Sequence, residues 1–392
     1  MPTDLRERLE EAAARPESRP DVDRLWRRAR RLVWASRIGA GGLAVVLVAV
    51  GFQALERVDF GGGRVASKPS EDALAPLEAH HVSGRSAYKV SFADGRLWMT
   101  SLRGMEAIDA VTEKVVLTVL SSPFPGQSLL ATDDELWTAT WEGDMGPGGG
   151  DTPKGSIARV RLADLPKDGE AEFRAVTTRF ETAPGETPSA VAVAGGAAWV
   201  TNINGGALIR VDANGDLSRV PVDGAPADVV AAGDSVWVAH TRGDPKHYGA
   251  GGASLLRLDA ATGEVVAGPV PAGTCPGSVD RSPTAVWVAD YCARALRSFD
   301  PITLEPLEVV ELEGRPGDVA VGGGLVWASV ETADEDAGTR LVRIDERTLR
   351  AGYSDLGPGN PFVSIDYGAG SLWVSDGERG VLRLTPEAGE GP

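Results

Sequence analysis

Residues 316–330 read PGDVAVGGGLVWASV, and this stretch decides how the chain folds. A proline opens it, an apolar run from Val319 to Val321 follows, a glycine turn comes next, and a second apolar run is centred on Trp327. Two apolar runs that alternate with a period of two and are joined by a tight turn are typical of a β-hairpin. A spacing of two rather than 3.6 excludes a helical repeat.

The same unit occurs seven times along the chain. Seven of the ten tryptophans stand in matching contexts, at Trp98, Trp137, Trp199, Trp237, Trp287, Trp327 and Trp373. Their spacings are 39, 62, 38, 50, 40 and 46 residues, close to the length of a four-stranded propeller blade. A proline precedes the tryptophan by eleven or twelve residues at Pro125, Pro188, Pro226, Pro276, Pro316 and Pro361.

Further apolar runs follow each hairpin, two in every copy but the last. The third run ends in aspartate and a turn, as at Ile344-Asp345, and a fourth follows, as at Leu307 to Leu312. We therefore predict an all-β fold, a seven-bladed β-propeller of four-stranded antiparallel blades over residues 77–388. The seventh copy has only three strands, so Leu77–Val82 is predicted to supply its outermost strand and to close the ring.

The recurring pattern Pro-x-x-Val, Gly, Leu/Val-Trp-Val and Ile/Val-Asp-x-x-Thr runs, for instance, from Pro316 to Thr348. It resembles the pattern of the extracytoplasmic YVTN-type repeat propellers and of the streptogramin B (virginiamycin B) lyase-like propellers. The resemblance covers about residues 77–388 and rests on framework residues, so it implies the fold. A lyase resemblance would also imply a metal-assisted elimination by histidine and glutamate at the channel mouth.

The residues before the repeats have a different character. Residues 1–35 carry two arginine-rich amphipathic helical patterns, and residues 36–55 include the uncharged run from Ile38 to Phe52. We expect a short helical cytoplasmic tail and one transmembrane helix that acts as an uncleaved signal anchor, with a cleaved signal peptide as the alternative. Residues 56–76, which contain several Gly, Ser and Pro, are expected to form a flexible linker, and residues 389–392 a disordered tail.

Charge is distributed unevenly over the chain, whose net charge is −17. Residues 1–37 hold ten Arg against seven acidic residues, which leaves −20 for the rest. This asymmetry predicts a single-pass protein of a bacterial cell membrane with a cytoplasmic N-terminus and an extracytoplasmic propeller. The acidic remainder argues against nucleic-acid binding. The arginines are either topogenic charge or a cytoplasmic partner site, and we expect a monomer.

One face of the predicted propeller, here called the top face, carries the connection into the first strand and the loop between the second and third strands of each blade. The residue three after each repeat tryptophan closes the second strand at this face, and six of these seven residues are polar. Either these strand ends are simply solvated, or they form a ligand site around the channel mouth. The candidate ligand-binding residues are Ser101, Thr140, Trp141, Asn202, His240, Asp290 and Asp376.

Loops between second and third strands are also the longest, at residues 141–155, 241–253 and 331–339. Trp141 lies in the first of them, as an exposed aromatic anchor or packed against a neighbouring loop. His240 and His247 lie seven residues apart, a spacing that matches no standard zinc motif. We expect no cofactor and no metal and assign no catalytic residue, with a divalent cation and the two histidines kept as the alternative.

Cys275 and Cys292 flank the fifth hairpin. A register that pairs Val279 with Val288 also places the two cysteines opposite each other, so a disulfide is geometrically reasonable, and an exported location permits it. Two reduced buried thiols are the alternative.

These observations leave two functional hypotheses. The first is a membrane-tethered extracytoplasmic binding module that presents its top face to a protein, a glycan or a small molecule. The alternative is a metal-dependent lyase-like enzyme that uses the same face.

Overall fold

The computed structural model describes residues 64–66, 77–83, 86–120, 128–142, 154–242, 252–332, 338–356, 363–377 and 379–386. Over these residues the chain forms the predicted seven-bladed β-propeller of antiparallel blades, with almost no helix. The predicted cytoplasmic tail and the predicted span at 36–55 lie outside them. No helix within the described part of the chain is long and apolar enough to cross a membrane.

The first three blades follow one another along the chain, each from its innermost to its outermost strand. Two short strands precede them, β1 (Arg64–Ala66) and β2 (Leu77–Ser83). Blade 1 has β3 (Lys89–Ala93), β4 (Arg96–Ser101), β5 (Gly104–Asp109) and β6 (Val115–Leu120). Blade 2 has β7 (Leu130–Ala131), β8 (Glu135–Glu142), β9 (Lys154–Arg161) and, after an insertion containing β10 (Gly169–Glu172) and the short helix α1 (Phe173–Val176), β11 (Thr177–Glu181). Blade 3 has β12 (Pro188–Ala194), β13 (Ala197–Asn202), β14 (Ala207–Val211) and β15 (Leu217–Pro221).

Four further blades complete the ring. Blade 4 has β16 (Pro226–Ala232), β17 (Ser235–Thr241), β18 (Ala253–Asp259) and β19 (Val265–Gly273). Blade 5 has β20 (Pro276–Arg281), β21 (Val286–Asp290), β22 (Ala295–Phe299) and β23 (Pro306–Glu311). Blade 6 has β24 (Arg315–Gly322), β25 (Leu325–Glu331), β26 (Thr339–Asp345) and β27 (Ala351–Asp355). Blade 7 has β28 (Ile365–Gly368), β29 (Ser371–Ser375) and β30 (Val381–Pro386).

Blade 7 takes its outermost strand from the other end of the propeller. β2 pairs antiparallel with β30, with Leu77 opposite Pro386 and His80 opposite Arg383. Blade 1 also holds this junction, because Glu113 accepts hydrogen bonds from Nη1 of Arg383 at 2.8 Å and from Nε2 of His80 at 3.0 Å. The N-terminal strand therefore covers an edge of blade 7 that would otherwise be unpaired.

Two blades carry a fifth strand at their outer edge. β1 pairs in parallel with β23 of blade 5, and β10 pairs in parallel with β6 of blade 1. β1 lies within residues 56–76, which the sequence analysis assigns to a linker, so three residues of that segment are paired with the propeller.

The repeat tryptophans form the contacts between blades. Trp373 of blade 7, for example, is fully buried and packs with Val90, Leu97 and Met99 of blade 1. In five blades an arginine of the third strand pairs across from the tryptophan, and in four of these its guanidinium lies over the indole ring, at 4.9 Å from the ring centroid for Arg383. The arginine therefore adds a cation–π contact to the packing of the tryptophan.

Proline and hydroxyl side chains shape the top of several inner strands. In blade 3, Pro188 pairs with Asn202, and a β-bulge separates this pair from that of Val191 and Val200. The N–H of Ala190, which the bulge removes from the ladder, donates to Oγ1 of Thr201 at 2.9 Å. Blades 1, 6 and 7 use Thr100, Ser329 and Ser375 in the same way. The hydroxyl two residues after the tryptophan therefore satisfies a backbone donor.

Candidate functional site

The top face carries most of the variable connections. The connections from β8 to β9, from β17 to β18 and from β25 to β26 include residues 143–153, 243–251 and 333–337, which lie outside the described residues together with His247. At the opposite face the inner hairpins close with short turns such as Asp94-Gly95 and Gly195-Gly196, and the largest insertion there is the one in blade 2 that holds β10. Variation between blades is therefore concentrated on the top face.

The side chains three residues after the tryptophans are withdrawn from solvent. Thr140 is half-buried, and the other polar members are buried, namely Ser101, Asn202, His240, Asp290 and Asp376. Their burial distinguishes these side chains from the solvated strand ends that the sequence left as an alternative. Their ligand-binding role stays a prediction, and in the structure the five buried side chains make hydrogen bonds within the protein.

Two of these residues fix the connection that leads into their own blade. Oδ1 of Asn202 accepts the N–H of Thr187 at 3.0 Å. Oδ1 of Asp290 accepts the hydroxyl of Thr274 at 2.8 Å and the N–H of Cys275 at 3.1 Å, while its Oδ2 pairs with Nε of Arg297 at 3.0 Å. Since Asp290 is fully buried, these partners compensate for the loss of its hydration.

His240 is a buried, neutral framework side chain. Its Nδ1 lies 3.0 Å from the carbonyl oxygen of Asp223 and 3.1 Å from that of Thr241. Because both partners are acceptors, Nδ1 carries the proton, and Nε2 has no hydrogen-bond partner among the described residues. Burial lowers the pKa of the imidazole, so the ring is neutral at physiological pH.

The remaining candidates are Asp376, Ser101 and Trp141. Both oxygens of Asp376 contact the guanidinium of Arg379, at 2.8 and 2.9 Å, although burial raises the pKa of this carboxyl. Oγ of Ser101 accepts the N–H of Arg103 at 3.2 Å. Trp141 is half-buried at the end of β8, and its Nε1–H is buried without a hydrogen-bond partner among the described residues. It is the candidate that keeps both exposed aromatic surface and an unused donor.

The predicted disulfide is confirmed, with the Cα atoms of Cys275 and Cys292 5.3 Å apart. The predicted register is right at Val279 and Val288 but wrong at the cysteines. The β-bulge of blade 5 shifts the pairing by one residue, so the carbonyl of Cys275 accepts the N–H of Tyr291 at 2.9 Å and Cys275 lies one residue out of step with Cys292. Cys292 itself is exposed on the top face.

Sequence reasoning missed a row of carboxylates on the inner strands of blades 4 to 7. Four aspartates, here called the channel carboxylates, alternate with the core-facing residues of these strands: Asp228, Asp280, Asp318 and Asp366. Each accepts a backbone N–H from the inner strand of the next blade around the ring: Val279 at 2.8 Å, Val321 at 2.6 Å, Ile365 at 3.1 Å and Phe92 at 2.6 Å, respectively. The row thus links four blade interfaces, including the one that closes the ring.

Electrostatics distinguishes the channel carboxylates from the other acidic groups. Burial, with repulsion between the members as a further cause, raises the pKa of Asp228 to about 6, of Asp280 to about 8 and of Asp366 to about 6. Each keeps partial exposure to solvent and lies on the innermost strand of its blade, the strand that borders the central channel of a propeller. A cluster of perturbed carboxyl groups in a concave site is a recognised mark of function.

A sequence signal for this row existed. All four of these inner strands contain an Asp next to a core-facing apolar residue, in Asp228-Val229, Val279-Asp280, Asp318-Val319 and Ile365-Asp366. The prediction of polar top-face residues followed the second strands, whereas these carboxylates lie on the first. Among the described residues no group of three His, Cys, Asp or Glu side chains is placed to hold a metal ion.

The fold defines this chain as a seven-bladed β-propeller protein. It is similar to virginiamycin B lyase from Staphylococcus aureus, with a TM-score of 0.57 and 15% identity over 79% of this chain and 99% of that chain. A catalytically inactive variant of that lyase with quinupristin gives a TM-score of 0.55 and 14% identity over 79% of this chain and 99% of that one. The WD40 domain of Pan2 from Neurospora crassa is similar as well, with a TM-score of 0.55 and 12% identity over 77% and 90%.

Similarities at these identities show the fold alone. No protein-family model matches the sequence, and no curated protein is similar to it in sequence.

Proposed function

We propose that this protein is a membrane-tethered, extracytoplasmic binding module whose ligand contacts the top face of the propeller. The observation that carries the proposal is the concentration of variable connections on that face, above a framework whose strand ends are fixed by internal hydrogen bonds. Binding sites are commonly built from variable loops held on a rigid scaffold. The ligand would be a protein, a glycan or a small molecule.

Two further observations support the proposal. The disulfide between Cys275 and Cys292 has one exposed end, and such bonds persist in oxidising compartments outside the cytoplasm. The uncharged run from Ile38 to Phe52, preceded by an arginine-rich segment, fits a single anchor with a cytoplasmic N-terminus. A lyase-like activity is supported by the similarity of fold alone.

Topology is tested with the full chain in intact bacterial cells. A membrane-impermeant thiol reagent, added after mild reduction, is expected to label Cys292 from outside the cell. The Cys275→Ser, Cys292→Ser double variant is the matched control for background labelling. Labelling that requires permeabilised cells would contradict an extracytoplasmic propeller.

Binding is tested by thermal shift of the purified full chain against a panel of glycans and small molecules that includes quinupristin. Trp141→Ala is expected to abolish a shift that the unaltered chain shows, since it removes the half-buried aromatic side chain of the top face. Val111→Ala is the matched control, because Val111 is 89% exposed in a turn of the opposite face. Equal loss of binding in both variants would contradict a top-face site.

A further inference from the structure

The channel carboxylates carry more charge than their structural role requires. Between blades 1 and 2, the uncharged Oγ of Ser91 accepts the N–H of Ala131 at 3.0 Å, which is the same link that Asp280 makes to Val321. A hydroxyl therefore suffices for such a link. Burying a carboxylate for the same purpose costs desolvation energy that a neutral acceptor avoids.

No cation of the described residues neutralises these carboxylates. None of the four forms an ion pair with a described Lys, Arg or His side chain. Of the other charged residues on the inner strands, Arg281 stacks on Trp237 and Arg315 stacks on Tyr291, each turned towards another aromatic partner. Lys89 of blade 1 remains, and one ammonium group cannot balance four carboxyl groups once they ionise.

A second, independent observation lies on the same wall. Ser364 occupies in blade 7 the position that Asp318 occupies in blade 6. The N–H of Ser364 donates to the hydroxyl of Ser375, and the N–H of Asp318 donates to that of Ser329; each hydroxyl lies two residues after the tryptophan of its blade. Ile365 packs in the core, so Ser364 and Asp366 face the other way, towards the channel. The side chain of Ser364 is 6% exposed, and its hydroxyl makes no hydrogen bond within the described residues.

We propose that the wall formed by the inner strands of blades 4 to 7 binds a linear organic cation with several ammonium groups, a polyamine, through Asp228, Asp280, Asp318, Asp366 and Ser364. Ammonium groups supply three hydrogen-bond donors each and accept none, which matches a wall of carboxylate and hydroxyl oxygens. The proposal concerns the channel and is independent of the ligand of the top face.

The arrangement favours a polyamine over a metal ion. Metal ions require several oxygen ligands converging within about 2.0–2.6 Å, and no three acidic or histidine side chains of the described residues are so placed. The channel carboxylates instead lie on four successive blades and at two levels. Asp228 and Asp318 come one residue before the core-facing residue of their strand, and Asp280 and Asp366 come one residue after it. Ser278 donates to Oδ1 of Asp318 at 3.0 Å, which links the inner strands of blades 5 and 6 without bringing their carboxylates together at one point. A flexible chain with separated charges can follow them.

The test is isothermal titration of the purified full chain with spermidine in 150 mM salt. We expect saturable binding that strengthens between pH 6 and pH 8, because carboxyl groups with raised pKa values must lose protons to bind a cation. The same experiment in buffers of different ionisation enthalpy should show proton release. Binding without proton release would place spermidine on ordinary surface carboxylates and overturn the proposal, as would no binding.

Variants identify the wall. Asp280→Asn combined with Asp318→Asn should weaken spermidine binding by about tenfold or more, since each removes a charge-assisted hydrogen bond. Asp133→Asn with Asp168→Asn, two exposed acidic residues, makes the same change in net charge and should leave binding unchanged. The proposal would be contradicted if both double variants weakened spermidine binding equally. It would also be contradicted if Mg²⁺ bound more tightly than spermidine and released the same number of protons. Should the channel variant fail to fold, proton release by the unaltered chain decides.

Discussion

Oδ2 of Asp280 in blade 5 accepts the backbone N–H of Val321 in blade 6 at 2.6 Å. Inner strands of a propeller are edge strands, and their N–H groups that point into the channel have no ladder partner. Asp280, like Asp228, Asp318 and Asp366, supplies that partner from the neighbouring blade. Blade-to-blade adhesion at the channel is therefore carried by side chain to backbone hydrogen bonds, in addition to the packing of the tryptophans.

The raised pKa values of Asp228, Asp280 and Asp366 predict how stability changes with pH. The pKa values of these three groups are about 6 to 8 in the folded protein and about 3.9 in the unfolded chain, so the folded state binds more protons between these values. The stabilisation is complete below about pH 4 and is lost as the pH rises through 6 to 8. We expect the melting temperature, followed by circular dichroism, to fall by several degrees between pH 5 and pH 9 as this contribution disappears.

Asp280→Asn separates this effect from others. The amide retains an oxygen for the N–H of Val321 but cannot ionise, so the decrease above pH 7 should be reduced. Asp168→Asn, on the surface, should leave the pH profile unchanged. The contribution of Asp259 to stability depends on pH in the opposite direction, because hydrogen bonds from Thr262 lower the pKa of its carboxyl. This contribution is lost only below about pH 4. A melting temperature that rises from pH 6 to pH 9 would contradict the assignment.

Much of the fold could be predicted because each repeat contains local sequence signals for its strands and turns. The period of two around Trp327, the proline before it and the turn at Asp345 are local signals, and strand counting in the last copy leads to Leu77–Val82 as the missing strand. The candidate site residues depend on how each blade packs against its connections and against the next blade. In the sequence, Asp290 and His240 are polar residues at the end of a strand, where side chains are commonly solvated. Only the structure shows that the connection packed against them buries both.

Removing β2 should destabilise the whole ring. A chain that begins at residue 84 loses the hydrogen bonds to β30 and the contact of His80 with Glu113. We expect its melting temperature to fall by on the order of 10 °C relative to a chain that begins at residue 77, which keeps β2 and is the matched control. Circular dichroism on heating measures both. Equal melting temperatures would show that β2 does not hold the ring closed.

Reduction of the disulfide should destabilise blade 5 and its connection. The bond joins residues separated by 17 positions, for which the chain-entropy model gives about 3 kcal/mol. Cys275→Ser with Cys292→Ser should lower the free energy of unfolding by about this amount, as measured by urea denaturation. Dithiothreitol should have the same effect on the unaltered chain and none on the double variant, and an effect on both would mean that the reductant acts elsewhere.

The hydroxyl two residues after the tryptophan, present in blades 1, 3, 6 and 7, provides the most local test of the framework. Thr201→Val keeps the shape of this buried side chain but leaves the half-buried N–H of Ala190 without its acceptor. The expected loss is about 1–3 kcal/mol in the free energy of unfolding, the cost of an unsatisfied buried donor. Thr178→Val makes the same chemical change on the exposed side of β11 and should change stability by less than about 0.5 kcal/mol. If both variants are equally stable, the N–H of Ala190 must find another acceptor. The hydroxyl of Thr201 would then not be needed to hold the inner strand of blade 3 in register.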